Sequence, residues 1–201
     1  MMKILVACEE SQVVCKAFRA KGHEAYSCDI QDCSGDKPEW HYKRDVFDVI
    51  SLGWDLMIAH PPCTYLCNSG VHWLHKQEGR FQKMADGASF FNYLLNTNCI
   101  DKIAVENPIP HKYAVEIMGR KYDQIVQPWM FGHTERKATC LWLKGLPKLT
   151  ETNNVKEEMF KLPKREQQKL HYLPPSKDRA KLRSKTYQGI ADAMSEQWGT
   201  P

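Results

Sequence analysis

The sequence predicts an α/β fold in which a mostly parallel, doubly wound sheet is flanked by helices. Three observations carry this expectation. Short apolar runs with β-branched content alternate with segments of helical periodicity from Lys3 to Leu143. Three runs stop at a polar residue or a proline, at Asp29, at His60-Pro61-Pro62 and at Glu106-Asn107-Pro108. The strand and helix units are too few to close a barrel of eight.

Ile4 to Cys8 is the first strand. Val13, Val14, Ala17 and Phe18 then recur on one helical face, and Gly22 supplies a stop. A second strand, about Ala25 to Ile30, completes a strand, helix, strand unit and opens a parallel sheet. Gln31 to Lys43 is polar and rich in turn formers, and Val46, Val49 and Ile50 mark a short amphipathic turn. Trp54 to Ala59 is the third strand, ended by Pro61 and Pro62 because proline cannot continue a central ladder. Phe81, Met84, Ala85, Ala88, Phe91, Leu94 and Leu95 fall at three- and four-residue steps, which predicts a helix over Arg80 to Asn96. Lys102 to Glu106 is the next strand, and Gln124 to Trp129 and Thr139 to Leu143 are further candidates. Ile190, Met194 and Trp198, at four-residue steps before Gly199, carry a last helix. Pro147 to Ser184 has no clear periodicity, and the chain has no internal repeat.

With 201 residues and 42% hydrophobic content, the chain suits one domain over 1–201 with a real core. No run approaches the roughly 18–20 apolar residues of a membrane span, and Met-Met-Lys-Ile-Leu-Val opens like a strand, so a cytoplasmic protein without a membrane partner is expected. The eight cysteines lack regular spacing and several lie inside predicted elements, which favours reduced thiols over a disulfide framework. His60, Cys63, Cys67, His72 and His75 fall within sixteen positions, but there is no Cys-x-x-Cys pair, so no metal is expected. The net charge of +4 is uneven: Lys156 to Lys185 holds ten Lys or Arg against four acidic residues. Such a run is either a solvated face or the part that meets nucleic acid.

The run from Asp55 through Pro62 delivers Cys63 through a Pro-Pro turn to the carboxyl edge of the sheet, where open parallel sheets place their ligands. Asp29, about twenty residues past the first strand, stands where an acid accepts hydrogen bonds from ribose hydroxyls; Asp45 is a second acid near the next strand edge. Either one also suits a loop or helix cap. Glu106 ends a strand, where a carboxylic acid can pair with the edge of a pyrimidine ring.

In their order along the chain these pieces resemble the cytosine-5 DNA methyltransferases, particularly the short versions often carried by bacteriophages. The resemblance covers most of Lys3 to Leu146 and resumes at Ser184. It implies a Rossmann-like S-adenosylmethionine-dependent fold and methylation of carbon 5 of cytosine in DNA, in a bacterial or phage-infected cytoplasm. By the same resemblance Cys63 is the nucleophile of a Pro-Cys motif, and Glu106 and Asn107 are the Glu-Asn motif that holds the cytosine. Asp29 matches the ribose-binding acid, with Ile30 beside it, and Asp45 the acid that meets the adenine. Ala7, Cys8, Glu9 and Pro61 stand where the cofactor is lined, and Thr186 to Met194 looks like the closing motif that returns to cover it. Arg136 matches the second arginine of a late motif, with Thr134 in place of the first.

Two departures stand out. The family's glycine-rich first turn is replaced by Ala7-Cys8-Glu9-Glu10-Ser11-Gln12, and without glycine a closer backbone approach to the cofactor is not expected. A basic, irregular insertion over 147–184 stands in place of a sizeable recognition domain, so target reading is expected to be short, relaxed or supplied by a partner protein. DNA is the expected substrate. RNA, a free cytidine nucleotide and a catalytically inactive nucleic-acid-binding shell are the alternatives.

Overall fold

The computed structural model describes residues 1–200. Its strands are β1 (Lys3–Ala7), β2 (Glu24–Asp29), β3 (His41–Lys43), β4 (Leu56–Ala59), β5 (Lys102–Pro108), β6 (Gln124–Val126) and β7 (Thr139–Lys144). They form one seven-stranded sheet in the order β3-β2-β1-β4-β5-β7-β6. β1 pairs in parallel with β2 and β4, β2 with β3, and β4 with β5, whereas β7 runs antiparallel to both β5 and β6. The helices are α1 (Val13–Ala20), α2 (Arg80–Asn96), α3 (Lys112–Met118), α4 (Lys156–Lys161), α5 (Lys164–Gln167), α6 (Arg179–Ser184) and α7 (Gln188–Trp198). Among the described residues no helix is long and apolar enough to cross a membrane.

The central strands read as continuous apolar runs because both faces of the sheet are covered. Alternate residues go to opposite cores. Leu5, Met57, Ile103, Val105 and Trp142 face α2 and α3, packing with Met84, Phe91, Leu94 and Met118. Ile4, Val6, Ile58, Ala104 and Leu141 face α1 and α7, packing with Val14, Phe18, Ile190, Met194 and Trp198. Trp142 anchors the first core, edge-on to Phe91 with ring centroids 4.8 Å apart and its indole N–H donating to the Arg120 carbonyl at 3.3 Å.

Strand order reverses between β1 and β4, since the chain leaves β1 toward β2 and β3 on one side and returns at β4 on the other. The carboxyl ends of β1 and β4 therefore border the crevice at a topological switch point.

Three local expectations are corrected. Gln31 to Lys43 contains the edge strand β3, whose His41-Tyr42-Lys43 is too polar to signal a strand by itself. The stretch Gln124 to Trp129 is a strand only to Val126; Pro128 starts a 3-10 turn over Pro128–Met130. α3 went unread: it is only seven residues long, and its signal is the cap His111, whose Nδ1 accepts from the Ala114 N–H at 3.1 Å. Within 147–184 the chain forms three short helices, α4 to α6.

α7 begins against a bend at Phe131. A Cβ added to Gly189 would lie 2.0 Å from the Phe131 carbonyl oxygen, and the Gly189 N–H donates to His133 Nε2 at 3.0 Å. Gly189→Ala must push backbone away from backbone. It is expected to cost about 2–3 kcal/mol and to lower Tm by roughly 4–10 °C in thermal unfolding.

Candidate active site

A cavity of about 820 Å³ opens at the carboxyl edge of the sheet. Each strand that borders it contributes the segment that follows: Cys8 to Ser11 after β1, Asp29 to Gln31 at β2, Arg44 to Phe47 after β3, and His60 to Thr64 after β4. The far wall is Lys177, Asp178, Ala180, Lys181 and Ser184 to Thr186. The end of the basic segment thus folds back over the crevice, held by the Lys181–Glu10 ion pair at 3.4 Å.

The loop after β1 solves its lack of glycine in an unusual way. Cys8 and Gln12 themselves take left-handed backbone (φ 58 and 59), conformations that glycine would adopt without strain. The buried Glu9 turns back to cap α1, accepting from the Val14 N–H at 2.8 Å and the Cys15 N–H at 3.2 Å. Burial raises the Glu9 carboxyl above its ordinary range, against the opposing pull of His60 and of these N–H donors. Burial, then the charges of Asp29, Cys28 and Asp45, push the Cys8 thiol up to about 12, so it is an inert wall residue at neutral pH.

Asp29 and Asp45 both reach the cavity. Asp29 Oδ1 accepts from the Gln31 N–H at 2.9 Å, and Asp45 Oδ1 accepts from the Phe47 N–H at 3.0 Å, capping the turn Val46–Asp48. The capping reading of Asp45 is therefore realised, with the carboxylate still on the wall. Ile30 is 73% exposed, and Phe47, also exposed, sits 4.7 Å from Tyr93 and 5.7 Å from Phe90. Ala7 is buried inside β1 and is not on the wall.

After β4 the chain breaks at Pro61-Pro62, and the half-buried Cys63 begins a turn whose carbonyl accepts from the Leu66 and Cys67 N–H groups, both at 3.0 Å. A hydrogen bond to Cys67, then burial and the nearby negative charges, hold the Cys63 thiol above its ordinary range. Cys67, receiving that hydrogen bond and lying 3.0 Å from Ser69 Oγ, is the thiol held low. Asn107 Nδ2 donates to the Pro61 carbonyl at 3.0 Å, tying the end of β5 to the turn that carries Cys63. Its Oδ1 is buried without a partner among the described residues.

Glu106 is not on the cavity wall; its Oε2 lies 2.8 Å from His60 Nδ1, and His60 is on the wall. Both side chains are nearly buried, 11% and 12% exposed. Desolvation alone would lower the His60 value and raise that of Glu106; their hydrogen bond and mutual charge reverse both, leaving His60 above and Glu106 below the ordinary ranges. The two shifts favour an imidazolium paired with a carboxylate.

Sequence reasoning missed two members of this cluster, His60 and Lys137. Arg136 is exposed, and its N–H donates to the Gln167 carbonyl at 2.7 Å. The neighbouring Lys137 turns inward instead, where burial lowers its value while Glu106 and Cys63 pull it back up, and its Nζ donates to the Lys185 carbonyl at 3.2 Å. In the loop and helix from Thr186 to Met194, Thr186 lines the cavity, and Ile190, Ala191 and Met194 are buried in the core against α1.

The chain is an α/β protein with a seven-stranded sheet flanked by helices, a fold it shares with a methyltransferase of known structure. No protein-family model matches the sequence, and no curated protein matches it significantly. Among solved structures, the Entamoeba histolytica methyltransferase EhMeth is similar at 14% identity over 77% of this chain and 57% of its own, with a TM-score of 0.50. An Escherichia coli prophage protein assigned as a DNA modification methyltransferase is 14% identical over 81% of this chain and 56% of its own, with a TM-score of 0.47. The Dnmt2 methyltransferase of S. pombe is 13% identical over 89% of this chain and 61% of its own, with a TM-score of 0.45. The likeness is one of fold, and the chain spans less than two thirds of the length of each of these proteins.

Proposed function

We propose that the protein transfers a methyl group from S-adenosylmethionine to carbon 5 of cytosine in DNA through a covalent adduct with Cys63. The observation that carries this reading is the position of Cys63, set by a Pro-Pro turn on the wall of the cavity that also holds Asp29 and Asp45, with Glu106 and Lys137 close enough to act on its charge.

The cavity fits the cofactor. Its volume lies within the range of about 300–1,000 Å³ typical of small-molecule sites. Asp29 would hold ribose hydroxyls, Asp45 the adenine amino group, and the exposed ring of Phe47 offers a stacking face. Because Glu9 already occupies the N-terminus of α1, the carboxylate end of the cofactor would be met by Lys177 or Lys181 on the far wall rather than by that helix. When bound, S-adenosylmethionine supplies an electrophilic methyl group on a sulfonium.

The chain supplies the rest. The Cys63 thiol passes its proton along its hydrogen bond to Cys67 and adds to carbon 6 as the thiolate, and the carbon 5–carbon 6 π pair becomes available at carbon 5. Glu106 holds nitrogen 3 of the ring, and Lys137 offsets negative charge gathering beside Cys63. After alkylation, loss of the carbon 5 proton and of the thiolate restores the ring. A base in duplex DNA must be flipped out to reach Cys63, and the cations of 147–184, with the exposed Arg136, are placed for phosphate contacts. On this reading 1–201 works as one domain, with 147–184 in place of a large recognition domain and a partner protein supplying further target selection. A bacterial or phage-infected cytoplasm is the compartment we propose.

The test is capture with DNA containing 5-fluorocytosine in the presence of S-adenosylmethionine. Fluorine cannot leave as a proton does, so a denaturation-resistant adduct is expected. An adduct on RNA or on a free nucleotide alone would redirect the substrate; strong weakening of binding by salt marks a polymer. No heat with S-adenosylmethionine in calorimetry and no adduct on any substrate would leave a binding protein.

A further inference from the structure

The geometry points to His60 as a proton-holding positioning residue that loads Glu106 for hydrogen bonding to the base. This inference rests on the methyl-transfer reading above. A carboxylate held in an ion pair cannot donate to nitrogen 3; it needs a proton from elsewhere. His60 is the nearest source. Its Nδ1 lies 2.8 Å from Glu106 Oε2, and its Nε2 is buried with no partner among the described residues, so no other acceptor competes for the imidazolium proton.

The groups facing this pair come from four parts of the fold. Glu106 is on β5, Glu9 follows β1, Lys137 precedes β7, and Cys63 follows His60 in its own loop. The charge of Glu9 favours the imidazolium; that of Lys137 opposes it. The proton count closes. The Nδ1–H bond breaks as an O–H bond forms on Glu106 Oε2, leaving His60 neutral as its Nε2–H form. That O–H bond then breaks as nitrogen 3 gains the proton, and the positive charge lost from the imidazolium cancels the negative charge the thiolate brought to the ring. Release of product reverses both transfers.

The test has a binding-independent arm and a reaction arm. In the intact protein labelled with ¹⁵N-histidine, His60 is expected to be imidazolium at pH 7, and Glu106→Gln to lower its titration midpoint by more than one pH unit. A neutral His60 at pH 7 with Glu106 intact would overturn the proposal. In adduct formation, His60→Asn, which keeps an N–H donor but carries no titratable proton, is expected to slow capture at least tenfold at pH 7 and to abolish the fall in rate that follows His60 deprotonation. An unchanged rate and pH profile would overturn it as well. If His60→Asn fails to fold, the Glu106→Gln titration decides alone. If the wild type forms no adduct on any substrate, the methyl-transfer reading falls, and the titration still shows whether His60 and Glu106 share a proton.

Discussion

Cys63→Ala is expected to abolish the covalent adduct and to reduce methyl transfer by on the order of 10⁴-fold or more, the scale on which loss of a covalent nucleophile is felt. Carbon 5 of cytosine does not attack a methyl group until a nucleophile has added at carbon 6, and no other thiol replaces Cys63 there. Cys8 is on the same wall but follows β1, beside Asp29 and Asp45, on the part of the wall proposed for the cofactor. Cys67, whose thiol is held low, is buried and is not on the cavity wall. The fold should barely register the change. Cys63 is half-buried, and what holds its turn is backbone and Asn107, which the substitution leaves intact. Thermal unfolding of Cys63→Ala within a degree or two of the wild type, with no adduct by denaturing gel, is the expected pair of results. Retained adduct would move the nucleophile elsewhere, and Cys67→Ala would be the next variant.

How much of this was legible in the sequence follows from where each element sits. β1, β4 and the central part of β5 are buried on both faces, and their apolar runs announce themselves. α2 shows its buried stripe at Met84, Ala88, Phe91 and Leu95. Edge and short elements do not: β3 is three residues of mixed polarity, and α3 owes its start to a histidine cap that no apolar period reveals. At the site, Asp29 could be placed because it ends a strand, and Cys63 because it follows the Pro-Pro break after one. His60 directly follows that same strand, but a histidine before two prolines gives no sign that a glutamate forty-six residues later will meet its ring. Nor does a run of two cations say which one turns inward; in the fold it is Lys137, whose Nζ donates to the Lys185 carbonyl. Register and long-range pairing, rather than composition, carry this half of the site.

Glu106→Gln is expected to reduce capture by roughly 10²–10⁴-fold, the range for loss of a positioned acid, and to change stability in a pH-dependent way that separates it from a simple packing defect. The sign follows from the two shifts. His60 is held above its ordinary value of about 6.5, so its share of the stabilisation is complete below that pH and is lost as pH rises through the folded value. Glu106 is held below its ordinary value of about 4.3, so its share is complete above that pH and is lost as pH falls through the folded value. The pair therefore contributes most between about pH 4.5 and 6.5. In that window glutamine leaves a buried imidazole either charged without its partner or stripped of its proton, at a cost of about 3 kcal/mol. As pH rises through the folded value of His60 the imidazole loses its proton and the gap between the two proteins should narrow; as pH falls through the folded value of Glu106 it should narrow again. Thermal melts of wild type and variant across pH 3 to 9 read this directly. A gap that is constant with pH would mean that Glu106 matters by shape alone and that the imidazolium–carboxylate pair does not form.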